Sequence, residues 1–176
     1  MADDLASGMI DRFRSLPIAS ASVLAGRVAA DAVRNIFVTG LMIAVGSAIG
    51  FRFHAGAAAA MAAVCLALAA GIAFSWLNLL LGLLVRDAET AGLAGLFPII
   101  ILTFTSSTLV PVDTMPGWLQ AFAKINPITV IVGALRALCL GGPTARAVGE
   151  AIAWIGGLLL VTIPLAVSSY RHATSA

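Results

Sequence analysis

Polar positions are so sparse along this chain that they cut it into long apolar runs. Four of these, residues 29–51, 57–85, 91–110 and 148–167, reach the roughly 20 mostly apolar residues that a helix needs to cross a bilayer. A fifth run, Pro127 to Leu140, is about 14 residues long and carries Arg136, a length that suits a re-entrant or interfacial helix better than a span. Between the third run and this short one lies "VPVDTMPGWLQAFAKINP", with three of the seven prolines and the only lysine. Pro111 and Pro116 interrupt helix, Gly117 permits a tight turn, and Trp118 suits a membrane interface. Asn126-Pro127 reads as the N-cap and first position of a new helix. On these residues alone, a hairpin dipping into the membrane and a loop resting on its surface stand level.

Ahead of the first run, Leu5, Met9, Phe13 and Leu16 recur at helical spacing until Pro17, with Asp11, Arg12 and Arg14 mostly on other faces. The pattern predicts a short amphipathic helix over residues 1–17. Its charges are mixed in sign, which fits a protein groove better than an anionic lipid surface.

Composition agrees with the pattern. The chain is 61% hydrophobic and 10% charged, with mean hydropathy +1.06, so lipid must solvate much of it. A net charge of +2, with basic residues scattered singly, gives no footprint for nucleic acid. Cys65 and Cys139 read as buried small hydrophobes. "GSAIG" at Gly46–Gly50 reads as a weak helix-packing signal. With four spans both termini share one side, which holds six basic residues (Arg12, Arg14, Arg27, Arg34, Arg86, Arg171). The opposite side holds Arg52, Lys124, Arg136 and Arg146, so charge bias places both termini in the cytoplasm.

Candidate chemistry is thin. No GxxxxGK[ST] occurs, so this sequence has no P-loop for ATP. No carboxylate pair lies inside a span, His54 and His172 are far apart in the topology, and Ser106 and Ser107 lack a base in sequence. No catalytic residue, cofactor or metal ligand is assigned, and an intramembrane enzyme is poorly supported.

Three stretches carry a resemblance: "DRFRSLPIASASVLAGRVAAD", "FSWLNLLLGLLVRDAETAG" and "TSSTLVPVDTMPGWLQAFAKINPITVIVGALRALCLGG". In this order they resemble the membrane permease subunit of type-2 ABC exporters, most closely the daunorubicin-resistance permeases, over nearly the whole chain. The resemblance implies an all-α polytopic protein of the cell membrane. Its four spans would be joined by an N-terminal cytoplasmic coupling helix and an outer-leaflet re-entrant helical hairpin over residues 111–140, before the last span. It implies a separate ATP-binding cassette subunit docked on Met9, Asp11, Arg12, Phe13, Arg14 and Pro17, and a second permease subunit, identical or not. It also implies a translocation path for an amphipathic drug or lipid beside Ser106, Ser107, Pro111, Pro116, Trp118, Asn126, Pro127 and Arg136. Alternatives within reach are a polysaccharide or glycolipid exporter permease and a non-transporting assembly partner. The family pattern has six spans with the coupling helix between the second and third. The sequence begins inside that connecting helix, as expected of a truncated product, a mis-assigned start or half of a split permease.

Overall fold

The computed structural model describes residues 20–85, 88–108 and 115–175, all of whose regular structure is helical. The elements are α1 (Ser20–Ile49), α2 (Gly56–Leu84), α3 (Ala88–Phe104), α4 (Gly117–Ile125), α5 (Pro127–Leu140) and α6 (Thr144–Ser175). Among the described residues, three helical stretches are long and apolar enough to cross a membrane: Gly26–Ile49, Gly56–Leu84 and Thr144–Tyr170. α3 is 17 residues long and just as greasy, and its helix stops at Phe104 although apolar sequence continues towards Val110. The amphipathic stretch over residues 1–17, with Met9, Asp11, Arg12, Phe13, Arg14 and Pro17, lies outside the described residues, as does Pro111.

The core sits where α2, α5 and α6 meet. α2 contributes Ala63, Leu66, Ala70 and Ala73, a three-four spacing that keeps one face on its neighbours. α5 adds Ile131, Ala134 and Leu138, and α6 adds Ala151 and Ile155. Alanines dominate because, in lipid, helices gain by close backbone approach and van der Waals contact rather than by leaving solvent. The rest of the apolar surface faces outward: Phe37 is 70% exposed and Leu160 is 77% exposed. That distribution is wrong for water and right for a bilayer.

Two small residues also set the position of α1 and α3 against α2. A Cβ on Gly71 would lie 2.8 Å from Asn35 Nδ2, and a Cβ on Gly95 would lie 2.7 Å from Asn78 Oδ1. Each asparagine of one helix therefore lies on the bare backbone of the next.

Two readings are corrected here. Cys65 is exposed and Cys139 only half-buried; Cys65 falls off the Ala63–Leu66 seam, and an apolar thiol facing lipid has no need of a protein core. The GSAIG stretch is a helix stop rather than a packing seam. Gly50 has φ +110°, Phe51 N–H donates to Gly46 O at 2.8 Å and Gly50 N–H to Ser47 O at 3.2 Å, the two bonds of a Schellman cap.

Candidate functional site

α4 and α5 form an elbow bent by 73° around the single residue Asn126. Sequence chemistry makes it there. Pro127 at the first position of α5 has no N–H to extend α4, and Asn126 ends one helix while capping the next. Its Oδ1 accepts from Ile128 N–H at 2.9 Å. Its Nδ2 donates to Leu102 O at 2.8 Å and lies 3.3 Å from Thr105 Oγ1. With 1% exposure, the amide is among the most enclosed polar side chains described, and it ties the elbow to the end of α3.

Above that knot the chain leaving α3 runs beside α5. Ser107 N–H donates to Thr129 Oγ1 at 3.1 Å, and Arg136 Nη2 donates to Thr108 O at 3.3 Å. Ser106, fully buried, donates from Oγ to Thr103 O at 2.7 Å and shares a 2.6 Å bond with Thr108 Oγ1. Thr103 and Thr105 return their hydroxyls to carbonyls one turn back, Ile99 O and Ile101 O, both at 2.7 Å. No buried side-chain polar atom among the described residues lacks a partner. The hydrogen bonds allow non-helical backbone to persist beside apolar helices, where an unpaired amide would be costly.

α5 is thus two-faced. Ile131, Ala134 and Leu138 enter the core, whereas Asn126, Thr129, Gly133 and Arg136 recur at spacings of three, four and three along another face. The polar face is buried at Asn126 and opens progressively to exposed Gly133 and Arg136. At its far end the α5 helix stops at Gly141, φ +89°, whose N–H donates to Ala137 O at 3.1 Å. There His54 N–H from the α1–α2 connection donates to Cys139 O at 2.9 Å. The end of α5 thereby shares a level with the α1–α2 connection, while Asn126 sits at the other end of the helix, about 20 Å away along the axis.

Ser106, Ser107, Asn126, Pro127 and Arg136 therefore converge on one seam. Pro116, which precedes α4 in extended conformation, and Trp118, 75% exposed, stand apart from it. The acidic residues that sequence reading assigns to the side of Arg136 are Asp113 and Glu150, with Glu150 the favoured partner; Asp113 lies outside the described residues. Glu150 is taken by Arg146 at 2.8 Å, its i,i+4 neighbour, and Arg136 reaches a backbone carbonyl. Thr105, Thr108 and Thr129 are the seam residues that sequence reading passed over. The run "TFTSST" at the end of a greasy helix, and Thr129 three residues beyond a cap, were the available signals.

The chain matches the ABC-2 type transporter family over residues 4–140. It is similar to the daunorubicin resistance ABC transporter permease protein DrrB1 of Streptomyces coeruleorubidus, 30% identical over 169 residues, which are 96% of this chain and 60% of that protein. It is also similar to the "Probable doxorubicin resistance ABC transporter permease protein DrrC" of Mycobacterium tuberculosis, 31% identical over 170 residues, 96% of this chain and 60% of that one. The doxorubicin resistance ABC transporter permease protein DrrB of the same species is 35% identical over 160 residues, 87% of this chain and 52% of its own length. The chain thus spans 60% of the length of the first two relatives. No solved structure matches it. A match across most of the sequence, joined to an all-helical array of apolar spans, establishes that this multi-pass membrane chain belongs to the ABC-2 type transporter family.

Proposed function

We propose that the chain is membrane-embedded permease machinery of an ABC exporter for an amphipathic drug or lipid. The observation that carries this reading is the bent α4–α5 pair, whose apex is a buried, fully bonded asparagine and whose polar face opens outward. Broken helices with satisfied backbone are tolerated at membrane depth where they meet protein or a water-filled path. In this reading α1, α2, α3 and α6 are the four spans, and α4–α5 enters and leaves from the outer side without crossing. The seam from Ser106 to Arg136 then closes the outer end of the path. Alternating access would come from two states with different contacts along it.

Family membership supports a division of labour: no P-loop occurs in this sequence, and ABC-2 permeases work with an ATP-binding subunit. The residues 1–17 would dock that subunit on the cytoplasmic side, with both termini in the cytoplasm and the protein in the plasma membrane. A second permease subunit would complete the path. Daunorubicin and doxorubicin, the drugs to which the relatives' names attach resistance, are the first candidate substrates to test.

The experiment is ATP-dependent uptake of daunorubicin into inverted vesicles that hold this chain and its ATP-binding partner. Uptake that needs both chains, and drug-stimulated ATP hydrolysis, are expected. ATP hydrolysis indifferent to this chain, with no uptake of drug or fluorescent lipid, would overturn the reading.

A further inference from the structure

A cleft of about 430 Å³ lies between the end of α4 and the first turns of α6. Its walls include Lys124 and Ile125 of α4, Val130 of α5, and Arg146, Glu150 and Trp154 of α6. None of these residues belongs to the Ser106–Arg136 seam. We propose that this cleft is a binding site for a phospholipid with a net negative headgroup, attracted by the positive charges of Lys124 and Arg146 and lined along its chain by Trp154, Ile125 and Val130.

The charges favour an anion. Arg146 gives its Nε–H to Glu150 Oε1 at 2.8 Å. A guanidinium has five N–H donors, so four remain, and the ion pair fixes the fork that presents them. Lys124 has no hydrogen-bonding or ionic partner among the described residues. Two cations and one carboxylate leave the cleft with one positive charge in excess. A phosphodiester matches that sign, whereas a cationic amphiphile would be repelled.

Depth favours a lipid over a soluble anion. α6 has 32 residues and is about 48 Å long, against a hydrocarbon core of about 30 Å. Shared between its ends, the excess places roughly the first six residues, Thr144 to Gly149, at headgroup level, with Glu150 at its edge. Trp154 follows one turn further in, where an indole ring meets both the interface and the upper acyl chain. Ile125 is 65% exposed and Trp154 42% exposed, so the cleft also presents open apolar surface. The cleft volume lies in the range of small-molecule sites, enough for a headgroup and the upper part of a chain. The surrounding bilayer supplies the occupant at high local concentration.

The site stands independently of the transport reading, so its test reads lipid rather than export. A full chain carrying Trp76→Phe and Trp118→Phe keeps Trp154 as the only fluorophore of its kind. It is reconstituted in phosphatidylcholine with a small fraction of brominated phosphatidylglycerol or brominated phosphatidylcholine. Stronger quenching by the anionic lipid is expected. Lys124→Glu should lower that preference about fivefold or more, since one basic residue beside an anionic membrane is worth about 1 kcal/mol. Lys124→Arg should keep it, which separates loss of charge from loss of fold. Equal quenching by the two lipids would overturn the proposal, as would a preference unaltered in Lys124→Glu with Arg146→Ala. A preference abolished by millimolar inorganic phosphate would also overturn it, since the occupant would then be a free anion.

Discussion

The side-chain amide of Asn126 donates to Leu102 O at 2.8 Å while its own oxygen caps α5 at Ile128 N–H, so one residue joins three helices. Asn126→Asp keeps the capping oxygen, and as the neutral acid that burial favours it can still give one O–H to Leu102 O. Asn126→Ala loses both functions. Removing a cap costs about 1 kcal/mol, and stranding a buried carbonyl about 1–3 kcal/mol. Asn126→Ala should therefore lower stability in detergent by about 2–4 kcal/mol, with Asn126→Asp in between because the acid keeps the cap and one of the two amide donors. Thermal unfolding of the purified chain measures the order. An alanine variant as stable as the parent would show that the elbow is held by something other than this knot.

The Asn35–Gly71 contact gives a second test. A methyl group at Gly71 would meet Asn35 Nδ2 at 2.8 Å and Cγ at 3.2 Å. Side-chain rotation relieves part of that clash, so Gly71→Ala should cost about 1 kcal/mol and Gly71→Leu about 3 kcal/mol or more, in line with overpacking elsewhere. Asn35→Ala should recover most of the loss in the double variant with Gly71→Ala. A double-mutant cycle of detergent unfolding reads the coupling; additive losses would place the two residues out of contact.

How far these features were legible in the sequence depends on whether the cause was local. The elbow was readable because Asn126-Pro127 states its own conformation: a capping side chain, then a residue that fits only the first turn. The helices were readable because apolar run length alone decides them in lipid. What the sequence concealed is pairwise. Nothing near Gly71 marks it as the seat of Asn35 rather than one small residue among many. Arg136 was matched with Glu150 by sign and side, but Arg146 lies one turn from Glu150 and wins by proximity, leaving Arg136 a backbone carbonyl. The GSAIG glycines read as a weak helix-packing signal, and only the backbone, with φ +110° at Gly50, shows the helix stop.

Arg136 marks the open end of the polar face, and its function should depend on the donor as well as the charge. Within a transporter holding its ATP-binding subunit, Arg136→Ala should lower drug export about tenfold. That factor corresponds to about 1.4 kcal/mol, the low end for a hydrogen bond involving a charged group. Arg136→Lys should retain more. Docking of the ATP-binding subunit should be untouched by either, but weakened by Arg12→Glu in the amphipathic stretch over residues 1–17. Export and co-purification measured on the same preparations separate the two roles. Export preserved in Arg136→Ala with docking lost would reverse the assignment of faces.

The bent α4–α5 pair leaves two topologies, and a pair of cysteines distinguishes them. If α4–α5 enters and leaves on one side, the start of α6 lies outside and the α2–α3 turn inside. If the pair crosses as a broken span, the start of α6 lies in the cytoplasm with that turn. Ala145 is the better reporter at the start of α6, because Gly141 and Gly142 have φ +89° and +153°, which a cysteine would strain. It is exposed, one residue into the helix. The native thiols are first removed by Cys65→Ala and Cys139→Ala, the former facing outward and the latter half-buried. In intact cells, an impermeant maleimide should label Ala145→Cys readily. Ala88→Cys, where α3 begins, should react only after the membrane is opened. Labelling of Ala145→Cys only in opened cells, alongside Ala88→Cys, would make α4–α5 a span. The seam from Ser106 to Arg136 would then belong to the interior of the bundle instead of its outer mouth.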